Sequence, residues 1–352
     1  MKEIIVANTQ CFQTSIPTPN SQLPTPYHKL PSPYSLLPTP FVVLLVLLAL
    51  TPALLSAQED EGVTASTDLI LSLSTVPEAK LGLSQSFTFP FLRGSSPLTS
   101  DNNINTVITA EVSPLTLDGI GEVNWTPAAF FVLSGGAMAG SGWSTSLGDG
   151  IGLNKPIDVS AGKPRKASIE GKAFGGLVWA GWGAGTLQFD LGAVIPGDWT
   201  HVLFQIHQEF RYSAYTGAGS GEPWVFENDE AENQNGWKYR AAYVLGYSLP
   251  RSPVFDMIAF AAELEKPLYR TPGGDFWGES LGHWEFSALF NFSINPRFST
   301  ALAIQLQTHR NHGTSNFGNR DYYYQDFELL DEGGQRRILF HRVALIFNYK
   351  IR

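Results

Sequence analysis

Residues 342–352 read RVALIFNYKIR, and Val343, Leu345, Phe347, Tyr349 and Ile351 share one parity while Arg342, Asn348, Lys350 and Arg352 share the other. A period of two is the signature of an extended strand with unlike surroundings on its two faces. One such strand decides little, but the pattern recurs. In HWEFSALFNFSI, Trp284, Phe286, Ala288, Phe290, Phe292 and Ile294 oppose His283, Glu285, Ser287, Asn291 and Ser293. After Asn295-Pro296, a turn signal, Phe298, Leu302, Ile304 and Leu306 oppose Ser299, Ala301, Gln305, Gln307 and His309.

Further upstream, Trp237, Tyr239, Tyr243, Leu245 and Tyr247 oppose Lys238, Arg240, Gly246 and Ser248. Val202, Phe204, Ile206, Phe210 and Tyr212 oppose His201, Gln205, His207, Glu209 and Arg211, and Leu81, Leu83, Phe87 and Phe89 oppose Lys80, Ser84, Ser86 and Thr88. The polar parity carries full charges and the apolar parity carries aromatics toward the strand ends. A soluble sandwich gives no reason for aromatic ends. A bilayer does, because Trp and Tyr settle at headgroup depth. The composition agrees: 12% aromatic and 16% charged, where a soluble domain carries about 25% charged residues.

Ten strands are expected, at 79–91, 103–113, 119–141, 170–194, 200–214, 236–248, 254–266, 282–294, 298–309 and 336–351. Short links at 113–119, 195–199, 249–253 and 295–297 alternate with long ones at 93–103, 142–169, 216–235, 267–281 and 310–335. The fold class is therefore all-β, a closed antiparallel up-and-down transmembrane barrel of about ten strands, with eight to fourteen possible. Segments 119–141 and 170–194 exceed the ~9–11 residues of a crossing strand. Either they project beyond the bilayer or they hide hairpins, which would raise the count to twelve or fourteen.

The ten apolar residues 41–50, followed by Pro52 and Leu55-Ser56-Ala57, fit a signal-peptide core and fall short of the ~20 needed for a helical span. Cleavage is expected after Ala57. The domain reading is a proline-rich prefix over 1–36, with prolines repeating every seven residues from Pro17 and Pro19, a signal peptide over 37–57, and one barrel domain over 58–352. Cys11 is the sole cysteine and precedes the expected cut. Setting aside Lys2, Lys29 and Glu3 leaves 21 basic and 31 acidic residues and a net charge of −10 in the mature chain, which argues against nucleic acid as a partner.

A barrel must pair its last strand with its first, and the closing aromatics here are Phe347 and Tyr349. In this the chain resembles outer-membrane β-barrel proteins, which commonly end on an alternating strand with a terminal aromatic; its continuation through Lys350, Ile351 and Arg352 departs from that pattern. FPFLRGSSPLTSDNNI, AEVSPLTLDG and NWTPAAFFVLSGG are similar to barrel proteins of spirochaetes, of treponemal type. The resemblance implies an outer membrane of a diderm bacterium, outer-membrane lipid as surroundings, engagement of the assembly machinery through the last strand, and no defined activity.

The inward-facing set is expected to be Lys80, Glu111, His201, His207, Glu209, Arg211, Lys238, Arg240, Glu263, Glu265, His283, Glu285, His309 and Arg342. Mixed charges in a confined lumen fit a neutralising network or a narrow watery path, since about eight strands leave only packing room and sixteen leave a channel. The expected function is non-enzymatic, as a narrow pore for small hydrophilic solutes or through the surface loops. The alternative is a barrel hydrolase of protease or lipase type with a His and carboxylate site at the outer rim. No motif joins a nucleophile to a base, so no catalytic residue is assigned.

No cofactor and no metal is expected. His201, His207 and Glu209 spread over about 26 Å of strand, too far for one ion. The acidic stretch VFENDEAEN, residues 225–233, lacks the glycine turn and twelfth-position Glu of a calcium loop and reads as a solvated tip. The glycine runs SGGAMAGSG and FGGLVWAGWGAG read as bulges and close backbone approach, because neither opens a helix. Phe276, Trp277, Tyr322, Tyr323 and Tyr324 are loop-binding candidates for an unknown extracellular ligand.

Overall fold

The computed structural model describes residues 62–76, 78–155, 168–197, 199–227, 229, 233–250, 252–269, 282–310, 312–314, 327–329 and 336–352. The expected prefix and signal peptide lie outside them, as do Phe276, Trp277 and Tyr322 to Tyr324.

The strands are β1 (Thr64–Ser74), β2 (Glu78–Pro90), β3 (Asn103–Val112), β4 (Thr116–Ala128), β5 (Phe131–Gly142), β6 (Ser144–Thr145), β7 (Gly148–Asp149), β8 (Ile151–Lys155), β9 (Ser168–Glu170), β10 (Val178–Asp190), β11 (Val202–Tyr215), β12 (Trp224–Phe226), β13 (Gly236–Ser248), β14 (Phe255–Pro267), β15 (His283–Asn295), β16 (Phe298–Arg310), β17 (His312–Thr314), β18 (Phe327–Leu329) and β19 (Arg336–Lys350). Twelve of them, β1–β5, β10, β11, β13–β16 and β19, form a closed antiparallel ring in chain order. Closure runs through β19 and β1, from Asp68 opposite Lys350 to Ser74 opposite Ala344. With each barrel strand paired on both sides around the ring, no strand edge is left for lipid to meet.

The expectation of ten strands is corrected to twelve. The stretch TASTDLILSLS forms β1, and the over-long segment 119–141 contains the hairpin between β4 and β5, turning at residues 129–130. Segment 170–194 instead supplies one crossing, β10. Omitting β1 reverses the sense of the next strands, and resolving the hairpin restores it. Link 91–102 therefore lies at the end that holds both termini, and link 113–115 at the opposite end, the reverse of the sequence expectation. From β10 onward the expected alternation holds. The terminal end carries links 129–130, 191–201, 249–254 and 296–297, and the other end carries the long connections 143–177, 216–235, 268–282 and 311–335.

The outward parity is apolar and exposed, with Phe210, Leu245, Phe260, Ile304 and Leu345 all exposed, and Lys238, Glu285 and Arg342 on the opposite parity all buried. That is the reverse of a soluble protein's arrangement and the order a lipid surround requires. Aromatics crowd both rims. Trp179, Tyr212 and Trp237 pack edge and face toward the long-loop end, while Phe255 with Phe292 and Phe298 with Phe347 stack toward the terminal end. The chain is a transmembrane barrel belted by two aromatic girdles.

Candidate functional site: the barrel lumen

A belt of ion pairs crosses the lumen in its long-loop half, where inward positions of neighbouring strands meet at equal height. On β11, the Arg211 Nε donates to Glu209 Oε1 at 2.7 Å and the guanidinium lies 4.2 Å from the Trp182 ring. Lys238 and Arg240 of β13 share the Glu265 carboxylate, at 2.7 and 2.5 Å. Arg342 of β19 donates to Glu78 at 2.7 Å and to Gln305 Oε1 at 2.5 Å, and Gln305 in turn donates to Glu285 and, at 3.1 Å, to Ser287. Each buried charge of this belt has a partner, which is the condition for holding it out of water. Glu263 lies directly opposite Glu285 in register, and His283 opposite Glu265.

Below the belt the two sides of the lumen differ. On β13–β16 and β19 the inward positions include Val244, Ala259, Ala261, Leu289, Ala301, Ala303, Ala344 and Ile346, one buried apolar cluster that Ile70 of β1 extends, with the buried Asn291, bonded to Asp256, and Ser248 nearer the terminal end. On β2–β5 and β10 the inward positions include Ser84, Ser86, Asn105, Thr109, Glu122, Asn124, Ser134 and Trp182, all only partly buried, with Val107, Ile120 and Met138 on the same face. These groups bond to one another: Asn105 to Thr88, Thr109 to Ser84, Ser134 to Asn124, and Glu122 to Asn124 and to Trp182 Nε1. A lane bearing these partly open polar groups therefore runs along one side of the lumen, and a closed, alanine-rich wall along the other.

The long-loop end of the lane is stoppered. Strands β8, β9 and β12, from two long connections, form a small sheet whose Ile151, Trp224 and Phe226 bury against Val178 and Tyr215. Phe226 lies over Gly140 of β5, where an added Cβ would come within 2.9 Å of the ring. Glu227, at a positive φ of 57°, turns into the barrel, where its Oε1 accepts from Lys80 Nζ at 2.6 Å and from Thr116 Oγ1 at 3.1 Å; Lys80 also pairs with Glu111 at 3.2 Å. This corrects the reading of a solvated acidic tip at Glu227, which the apolar neighbours Trp224 to Phe226 pull inward; Glu230 and Glu232 lie outside the described residues.

The other expected positions fall in three groups. His201 is not deep in the lumen; it precedes β11 at the terminal rim, partly exposed, 3.0 Å from Asp190. His309 lies opposite Arg337 in register. His207 is mid-strand, its Nδ1 2.8 Å from Thr186 Oγ1 and its Nε2 3.8 Å from Glu209, whose carboxylate is engaged by Arg211. His207 and Glu209 thus stand mid-strand and not at a rim, whereas His283, the first residue of β15, stands at the long-loop end opposite Glu265. Among the described residues, no group of three His, Cys, Asp or Glu is placed to hold a metal.

Sequence reasoning missed Glu78, Asp118, Glu122, Trp182 and Glu227. Glu78 shares parity with Lys80 two residues on, a signal that was available. Asp118 and Glu122 share parity too, but Asp118 had been placed in a link. Nothing in the sequence marks Glu227 as inward.

No protein-family model and no curated protein matches the chain. Among solved structures, it is similar to a KdgM porin (9% identity, 82% of this chain and 99% of that chain, TM-score 0.34), the β domain of the Bordetella autotransporter BrkA (10%, 82% and 98%, 0.37) and the translocator domain of the autotransporter NalP from Neisseria meningitidis (8%, 88% and 96%, 0.37). Identities and scores this low leave the strand pairing to define the fold: a closed antiparallel barrel of the outer-membrane type.

Proposed function

We propose that the chain is a non-enzymatic outer-membrane protein of a diderm bacterium that conducts small hydrophilic solutes through a narrow lane along one side of its lumen. The observation that carries this reading is the contrast in burial between the Ser, Thr, Asn and Glu positions of β2–β5, partly open, and the alanine-rich positions of β14, β16 and β19, closed. Twelve strands stand between the eight that fill themselves and the sixteen that leave a wide channel. In this reading the long connections face outward, residues 37–57 export the chain and are removed, and the β19 strand is offered to the assembly machinery. The similarity of its sequence phrases to spirochaete barrel proteins fits the same location.

The Glu227 contact with Lys80 and Thr116 is then a latch over the outer mouth. The test is single-channel recording of refolded protein in a planar bilayer. The expected result is a small conductance that rises several-fold in Glu227→Gln, which weakens the hold on Lys80 and frees the stopper. A closed bilayer with both proteins, each shown by heat modifiability to be folded, overturns the pore.

A further inference from the structure

We infer that a recess beside the closing seam of the barrel binds small zwitterions of the α-amino-acid class; this goes beyond the pore reading and stands whether or not the lane conducts. The recess holds about 510 Å³ of empty space, part of it continuous with the lumen, between β1, β2, β3 and β19. Glu78, Lys80, Glu111 and Arg342 line it toward the long-loop end, and Ile70 and Ile346, from the apolar cluster and its margin, line it lower down. Around the charged part the signs alternate. Arg342 bonds to Glu78 at 2.7 Å, Lys80 follows Glu78 by two residues on the same face of β2, and Glu111 lies 3.2 Å from Lys80. A solute of one sign is drawn by two of these groups and repelled by the other two. A zwitterion sets its carboxylate toward Arg342 and Lys80 and its ammonium toward Glu78 and Glu111, with its side chain against Ile70 and Ile346.

The four groups keep capacity for such a guest. Lys80 also meets Glu227 at 2.6 Å, and its ammonium has a further donor beyond those two contacts. Arg342 spends Nε on Gln305 and Nη1 on Glu78, which leaves the rest of its fork of donors. Glu78 and Glu111 each make their ion pair through Oε2, and among the described residues neither Oε1 is engaged. Gly82, opposite Ile70 in register, keeps the recess open. A Cβ added there would lie 3.6 Å from Glu111 and 3.8 Å from Ile70, ordinary contact, so a larger side chain enters by filling the space without forcing the strands apart.

Isothermal titration calorimetry on refolded protein in detergent tests this with probes of one shape: alanine, propionate and ethylammonium. Alanine is expected to bind about ten-fold more tightly than either singly charged probe. Gly82→Leu fills the recess, and Glu111→Gln removes one carboxylate while Lys80 keeps Glu227. Each, checked for folding by heat modifiability, is expected to weaken alanine binding about ten-fold, and Glu111→Gln also to close the gap between alanine and propionate. Should one variant fail to fold, the other carries the test. No heat of binding from alanine, equal affinity for all the probes, or alanine binding unchanged in the folded variants overturns the inference and leaves the pore, which conductance tests separately. Alanine binding of the expected preference in a protein that passes no current upholds the site and overturns the pore alone.

Discussion

At mid-depth on β16 the inward residue is Ala303, fully buried among Ala301, Ala344 and Leu289; at similar depth on β5 it is Ser134, partly open and bonded to Asn124. Both positions obey the same alternation, both carry small side chains, and both have lipid behind them. They differ in what lies in front. Below the ion-pair belt, the inward groups around Ala303 on β14–β16 and β19 are small and apolar, so neighbouring strands close over one another and exclude water. Around β2–β5 the inward groups carry hydroxyls and amides that need partners, and they find them in each other and in the lumen. Strand parity separates inside from outside, and a second choice, made residue by residue, separates dry inside from wet.

That contrast breaks most readily under charge. Ala303→Asp places an unpaired carboxylate in a dry cluster and is expected to cost about 3–5 kcal/mol. Ser134→Asp, facing the lane, is expected to cost less than about 1 kcal/mol, in the range of a surface change. Urea unfolding in lipid vesicles, followed by tryptophan fluorescence, measures both. Equal penalties would mean that the two walls are equally wet or equally dry and would remove the lane.

A substitution on the lipid side sharpens the same point. Phe260 of β14 and Val123 of β4 both point outward near mid-strand, exposed, behind the dry wall and the wet wall respectively. An arginine at either site meets hydrocarbon and is expected to cost about 2–4 kcal/mol. The two penalties should agree to within about 1 kcal/mol, because the walls differ on their inner faces alone. A penalty at Val123→Arg far below that at Phe260→Arg would place β4 away from lipid and undo the symmetry on which the comparison stands.

The sequence made the in-or-out assignment legible wherever aromatics marked one parity, as in residues 282–294 and 336–351. It obscured β1, TASTDLILSLS, whose outward residues are leucines with no aromatic among them. It also obscured the β4–β5 hairpin, because Ala129 and Phe130 carry no turn chemistry and Pro127 lies within the strand where the register slips. Ion pairs of the lumen were legible as inward charges but not as pairs, since partners such as Glu78 and Arg342 stand 264 positions apart and meet only when the ring closes. The burial of Glu227 was not legible at all. It follows from how two long connections pack Trp224 and Phe226 against Val178 and Tyr215, a tertiary event with no periodic trace.

Glycines offer the gentlest probe of the two walls. A Cβ added at Gly136 would fall 2.3 Å from Cζ2 of Trp182 and 2.8 Å from the carbonyl of Gly121, so the indole must leave its place against Glu122 and Arg211. At Gly246, on the dry side, the same atom would meet Leu203 and Ala259 at 3.4 and 3.5 Å, ordinary contact. Gly136→Ala is therefore expected to cost about 1–3 kcal/mol by overpacking and to change the conductance, whereas Gly246→Ala should lie within about 0.5 kcal/mol of wild type and leave conductance alone. Because Trp182 lines the lane, the two readouts should move together at Gly136. A stability loss there with unaltered current would mean that the indole packs the wall without bounding the path, and would move the lane toward β2 and β3.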